Sequence, residues 1–149
     1  MKSHLRACVV TLTLIFSMSI VAFADKDVPI QVSELPASAQ STLSTYFGGL
    51  SIALAKMESD LFSKSYDIIF TNGDKIEFDS SGNWTDIKCK ATKVPSALVP
   101  KQILSYINTN YPGNNILEIE REKKEIEVKL SNGLELTFNA KFQLIEIDN

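Results

Sequence analysis

Eight charged residues raise the first question of chemistry. Asp67, Lys75 and Glu77 stand on alternate positions of one apolar-alternating stretch, and Glu118, Glu120, Glu127, Lys129 and Glu135 do the same in another. Alternate side chains of a strand share a face, so both sets predict a charged sheet face backed by an apolar one. Such a face suits the docking of a protein or peptide, or the collection of cations. Paired carboxylates can also perform general acid–base catalysis, but no pair here has a sequence context that raises a pKa. Trp84, the single tryptophan, joins the candidate protein-binding face because tryptophan is enriched at binding hot spots. Packing against a core at the start of a strand is its competing role.

The parts of most catalytic sites are missing from the sequence. Its one histidine is His4, inside a segment predicted to be removed. Without histidine there is no Ser-His-Asp or Cys-His pair and none of the usual catalytic zinc ligand sets. No G-x-S-x-G, P-loop or G-x-G-x-x-G motif occurs. The domain is therefore expected to be non-enzymatic, with no cofactor and no metal. The run from Asp79 to Asp86 faintly resembles a calcium loop. Gly82 stands at its fourth position, where an EF-hand needs glycine at the sixth, and no glutamate follows at the twelfth. A β-turn with Gly82 at positive φ is predicted instead.

The N-terminal stretch assigns a destination. Lys2 and Arg6 precede an uncharged apolar run from Ala7 to Val21, which ends in Ala22-Phe23-Ala24. That order of charged, apolar and small-residue regions predicts a cleavable signal peptide over 1–24, with export to the periplasm or beyond. The apolar run is short for a membrane span, so no membrane association is expected after cleavage. The domain 25–149 keeps thirteen basic against eighteen acidic residues, a net charge of −5. An acidic domain without a basic run is a poor ligand for phosphate backbones, and nucleic acid is not expected as a partner. Cys8 leaves with the signal, so Cys89 stands alone and is predicted to be a packed residue in a strand.

Two segments of the domain match. Pro36, Leu43, Phe47 and Gly49 fall opposite Pro100, Ile107, Tyr111 and Gly113, each set framing a short amphipathic helix with proline at its start and glycine beyond its end. Asn72-Gly73 and Asn132-Gly133 then sit between alternating runs, as in type I′ hairpins. Strands are predicted near 51–57, 65–71, 74–79 and 84–90, and near 115–121, 125–131, 134–139 and 142–147. Residues before 33 form a loose leader or edge segment. The expected fold is α+β: a tandem repeat, 33–91 and 94–149, of a helix plus four antiparallel strands, with the helices on one face of a shared antiparallel sheet.

With these motifs in tandem, and with Phe78-Asp79-Ser80-Ser81-Gly82-Asn83-Trp84 and Phe138-Asn139-Ala140-Lys141-Phe142, the chain resembles the PepSY-like exported proteins grouped with the β-lactamase-inhibitor-protein fold. The resemblance implies tandem units sharing one curved sheet. It also implies a binding role: PepSY modules of protease propeptides are implicated in restraining peptidases, and the inhibitor protein grips an enzyme with its concave sheet. The inhibitor is disulfide-bonded and this domain cannot be. The expected function is that of a secreted or periplasmic binding module, inhibitor-like, using its open sheet face on an unidentified protein or peptide. Small-ligand or metal handling is the alternative. The sequence does not specify an oligomeric state.

Overall fold

Period-two alternation of apolar and polar residues, as in Lys75-Ile76-Glu77-Phe78 and Glu125-Ile126-Glu127-Val128-Lys129-Leu130, gives these segments one buried and one exposed face, the pattern of a strand. The computed structural model describes residues 26–149; the predicted signal peptide lies outside them. The strands are β1 (Lys26–Pro29), β2 (Ile52–Ser59), β3 (Lys64–Phe70), β4 (Lys75–Asp79), β5 (Trp84–Lys88), β6 (Ile116–Arg121), β7 (Glu125–Leu130), β8 (Glu135–Asn139) and β9 (Leu144–Asp148). They form one antiparallel sheet in chain order, β1 to β9. Two ten-residue helices accompany it, α1 (Ala37–Tyr46) and α2 (Lys101–Asn110).

This architecture corrects the expectation of an α+β tandem repeat of a helix plus four strands. The described residues form a nine-stranded meander, mostly sheet, with two short α-helices and two single-turn 3-10 helices. The segment ahead of α1 supplies an edge strand, β1, whose Val28 faces Met57 of β2. β5 pairs directly with β6 through Asp86–Glu120, Ile87–Ile119 and Lys88–Glu118, so no seam divides the sheet. The reason is that alternation is a local signal. It marks a strand and its two faces, but not which edges will pair to satisfy their backbone groups.

The core lies on one side of the sheet. Ile68, Phe70, Ile76, Phe78, Ile87, Ile119, Val128, Leu130, Leu136 and Phe138 are buried there together with Ala39 and Leu43 of α1 and Ile103 and Ile107 of α2. Phe47, at the end of α1, stacks on Phe70 at 5.6 Å, and Tyr106 of α2 meets Phe138 edge-on at 5.6 Å. Cys89 is a free, buried thiol whose pKa is pushed up by burial.

The hairpins turn differently from the type I′ form predicted. Gly73 N–H donates to Phe70 C=O at 3.0 Å while Phe70 N–H donates to Asp74 C=O at 2.9 Å. That is a three-residue loop, a type I turn closed by a left-handed residue. Gly73 and Gly133 carry the positive φ, 91° and 92°, while Asn72 and Asn132 do not. Instead the Asn72 and Asn132 side chains accept from the backbone N–H two residues on, at 2.9 and 3.1 Å. The same loop joins β4 to β5 with Gly82 at φ 83°, and β8 to β9 with Phe142 at φ 60°.

Gly82 carries a second constraint. Its turn lies against the start of α1, where the Ser38 hydroxyl donates to Ser81 C=O at 2.6 Å. A Cβ on Gly82 would come within 2.7 Å of Pro36 Cβ and 3.0 Å of Ala39 N, whereas a Cβ on Gly73 would meet nothing within 4 Å. Gly73→Ala should therefore cost only its left-handed strain, about 1 kcal/mol, and Gly82→Ala that strain plus a clash with the Ser38 hydroxyl and the Pro36 ring, roughly 3 kcal/mol in all. Urea denaturation of the two variants checks this; equal losses would show that the contact with α1 does not hold the turn.

Candidate functional site

The face of the sheet away from the helices is charged because the register aligns its polar positions. One row runs straight across seven strand pairings: Lys56, Asp67, Glu77, Asp86, Glu120, Glu127, Thr137 and Glu146. Beside it runs Ile69, Lys75, Lys88, Glu118, Lys129, Glu135 and Asp148. The first row thus sets five carboxylates directly opposite one another in succession, from Asp67 to Glu127. Like charges facing across strands are destabilising.

The neighbouring lysines relieve part of this repulsion. Asp67, buried at 1 % exposure, is held by Lys75 at 2.8 Å and Lys56 at 3.3 Å. Lys88 bridges Glu118 at 2.7 Å and Asp86 at 3.1 Å, and Lys129 pairs with Glu135. Lys56 also pairs with Glu58 and Asp27, which chiefly hold its ammonium group well above the ordinary range, and Glu118 chiefly does the same for Lys88. Glu77, Glu120 and Glu127 have no ion-pair partner among the described residues. All three titrate above the ordinary carboxylate range, through burial first and then the facing charges: Asp67 on Glu77, Asp86 on Glu120, Glu135 and Glu120 on Glu127. Asp86 is raised by burial too. The Oδ1 atoms of Asp67 and Asp86 are buried without a hydrogen-bond partner.

Of the residues singled out in the sequence, Asp67, Lys75, Glu77, Glu118, Glu127, Lys129 and Glu135 meet on this face. Trp84 does not. It pairs with Phe78 on the apolar side, is 7 % exposed, and lies under the Arg121 guanidinium at 4.0 Å. Glu120, also expected on this face, lies on it, and Asp86, which sequence reasoning missed, completes the row; the pairing of β5 with β6 brings the two between Glu77 and Glu127. Sequence reasoning also missed the tip of the β2–β3 hairpin, where the Asp60 carboxylate accepts from Phe62 N–H and Ser63 N–H at 2.6 Å. There Phe62 is 96 % exposed.

Two other carboxylates are structural. Asp74 is buried at 1 % exposure. It accepts from Ala91 N–H at 2.9 Å, the Thr92 hydroxyl at 2.5 Å and the Asn72 amide at 3.1 Å. Burial alone would raise its pKa, but these donors together hold it below the ordinary range. Asp79 is held down in the same manner by Asn83, Ser81 and Gly82, against its burial. Its Oδ1 accepts from Ser81 N–H at 2.8 Å and Asn83 N–H at 3.0 Å, which caps the β4–β5 turn.

Residues 64–146 match the family described as "Putative beta-lactamase-inhibitor-like, PepSY-like". The chain belongs to this family. Three crystal structures of Bacteroides proteins, each described as a "putative" periplasmic protein, are similar over nearly their whole length. One from Bacteroides vulgatus ATCC 8482, of the DUF2874 family, is 55 % identical, with a TM-score of 0.82 over 85 % of this chain and 99 % of its own. A Bacteroides thetaiotaomicron protein described as calcium-regulated is 54 % identical, with a TM-score of 0.80 over 83 % and 97 %. A second Bacteroides vulgatus protein is 36 % identical, with a TM-score of 0.77 over 83 % and 100 %. A comparison with curated proteins finds no match. This PepSY-like protein is periplasmic like its relatives, and no helix among the described residues is long and apolar enough to cross a membrane. The family's description names no catalytic activity.

The two sets of carboxylates oppose each other in pH dependence. Glu77, Asp86, Glu120 and Glu127 titrate high in the folded state. They therefore add stability as pH falls from neutrality, and lose it again as pH rises through their folded values. Asp74 and Asp79 titrate low, so their contribution holds above about pH 4, the ordinary value, and disappears below it. The urea midpoint should rise from pH 7 to about pH 5 and fall by pH 3. Glu120→Gln should flatten the rise and Asp74→Asn the fall. A midpoint that does not move between pH 7 and pH 5 would show that the facing carboxylates do not repel.

Proposed function

We propose that this PepSY-like protein is a non-catalytic periplasmic binding module whose charged sheet face docks a protein or peptide surface rich in lysine or arginine. The observation that carries the reading is the row from Asp67 to Glu127, with Glu77, Glu120 and Glu127 lacking ion-pair partners among the described residues. A fold that keeps facing like charges at a cost in stability is expected to do so at a functional surface. A cationic partner removes the repulsion on binding. Charge steering adds association rate and makes the contact sensitive to salt. Inhibition of an enzyme is one form such docking takes, and the family's description as inhibitor-like supports it.

The test is titration of the isotope-labelled domain with a capped hexa-arginine peptide, followed by amide shifts. The shifts should centre on β4 to β7, and Glu120→Gln/Glu127→Gln should weaken binding about tenfold, or 1.4 kcal/mol. Shifts confined to the helix side, or affinity unchanged in the double variant, would sink the sheet-face reading. A second reading is favoured by the 54 % identical neighbour described as calcium-regulated: the same carboxylates respond to Ca²⁺. Under it, millimolar Ca²⁺ raises the melting temperature and Mg²⁺ does not, and the double variant removes the difference.

A further inference from the structure

A nine-stranded open sheet has two edges, and here they differ. β1 is short, contains Pro29, and its Asp27 is tied to Lys56 of β2 at 3.0 Å. Proline and engaged charges are ordinary means of closing an edge. β9 has no proline and no lysine, and none of its side chains forms an ion pair among the described residues. It is almost wholly exposed: Ile145 at 52 % and Ile147 at 49 %. Among the described residues only β8 pairs with it, which leaves the backbone donors and acceptors of its outer side free to pair.

The side chains of β9 say what could lie beside it. Leu144 pairs with Phe138 and Ile147 with Leu136, on the apolar side of the sheet. Glu146 pairs with Thr137 and Asp148 with Glu135, on the charged side. A second copy of the chain is a poor match. A two-fold antiparallel pair of β9 strands centred on Glu146 sets Glu146 against Glu146. Centred on Ile147, it sets Glu146 against Asp148. Both place like charges directly opposite. A strand with lysine or arginine at alternate positions and β-branched residues between them satisfies both sides at once. We infer that β9 accepts such an extended cationic–apolar segment of another protein as a tenth strand, by backbone pairing. This surface adjoins the carboxylate row but does not depend on it: its affinity comes from main-chain hydrogen bonds, and Glu146 and Asp148 select the charge.

The probe is a capped seven-residue peptide alternating lysine and valine, compared with its fully N-methylated form and with a glutamate–valine counterpart. N-methylation keeps charge and side chains but removes the backbone donors and crowds the pairing edge. The unmodified lysine peptide should slow hydrogen exchange of β9 amides. The N-methylated form should bind at least about tenfold more weakly. Glu146→Lys should weaken the lysine peptide about fivefold and admit the glutamate peptide; its exposed position keeps the fold. Equal binding of the N-methylated peptide would overturn the inference, since charge on the sheet face would then suffice and the face reading would survive it. Unprotected β9 amides would also overturn it. So would a wild-type dimer joined through β9, seen by sedimentation and by protection of β9 amides in the free protein.

Discussion

Strand register is the constraint on which the rest of the molecule depends. Every strand pairs only with its neighbours in sequence, so each hairpin hands its alignment to the next. A slip of one residue would move a whole strand's apolar set to the charged side. The three-residue loops at Gly73, Gly82, Gly133 and Phe142 fix that alignment within hairpins. Across the long connection through α2, it is fixed by Ile87 against Ile119, both fully buried.

The same register that builds the core also builds the charged face. Once Ile87 and Ile119 are matched, Asp86 must face Glu120, and the carboxylates of β3, β4 and β7 fall into line with them. Lys56 faces Asp67 within the row, and Lys75 and Lys88 reach Asp67 and Asp86 from the neighbouring row, while Glu77, Glu120 and Glu127 stay without ion-pair partners among the described residues. The face is therefore a consequence of core alignment combined with the choice of acids at its polar positions. A more stable choice, alternating sign along the row, would have been open to the same backbone.

Much of this was legible locally. Alternation located the strands around Ile68, Ile76, Val128 and Leu136, and Asn-Gly marked two of the loops. The loops themselves use one left-handed residue instead of two, because a type I turn with a following glycine closes an equivalent hairpin and the dipeptide does not distinguish them. A shared sheet was expected, but not which strands join its halves, nor that the leader adds a ninth strand. The pairing of β5 with β6 joins residues separated by a whole helix, and β1 is only four residues long. Eight of the face residues, Glu120 among them, followed from period two. Asp86 required the long-range pairing, and Trp84 packs in the core, the role that competed with a place on the binding face.

Cys89 carries a consequence of a different kind. The periplasm is an oxidising compartment, and an unpaired thiol there is exposed to disulfide exchange whenever it can be reached as thiolate. Once the chain is folded, Cys89 lies at 4 % exposure with its proton held more firmly than usual, so both access and ionisation are denied. Neither protection exists before the sheet closes over it. The interval between export and folding is thus the period of chemical vulnerability, and rapid closure of a sheet made from sequence neighbours shortens it.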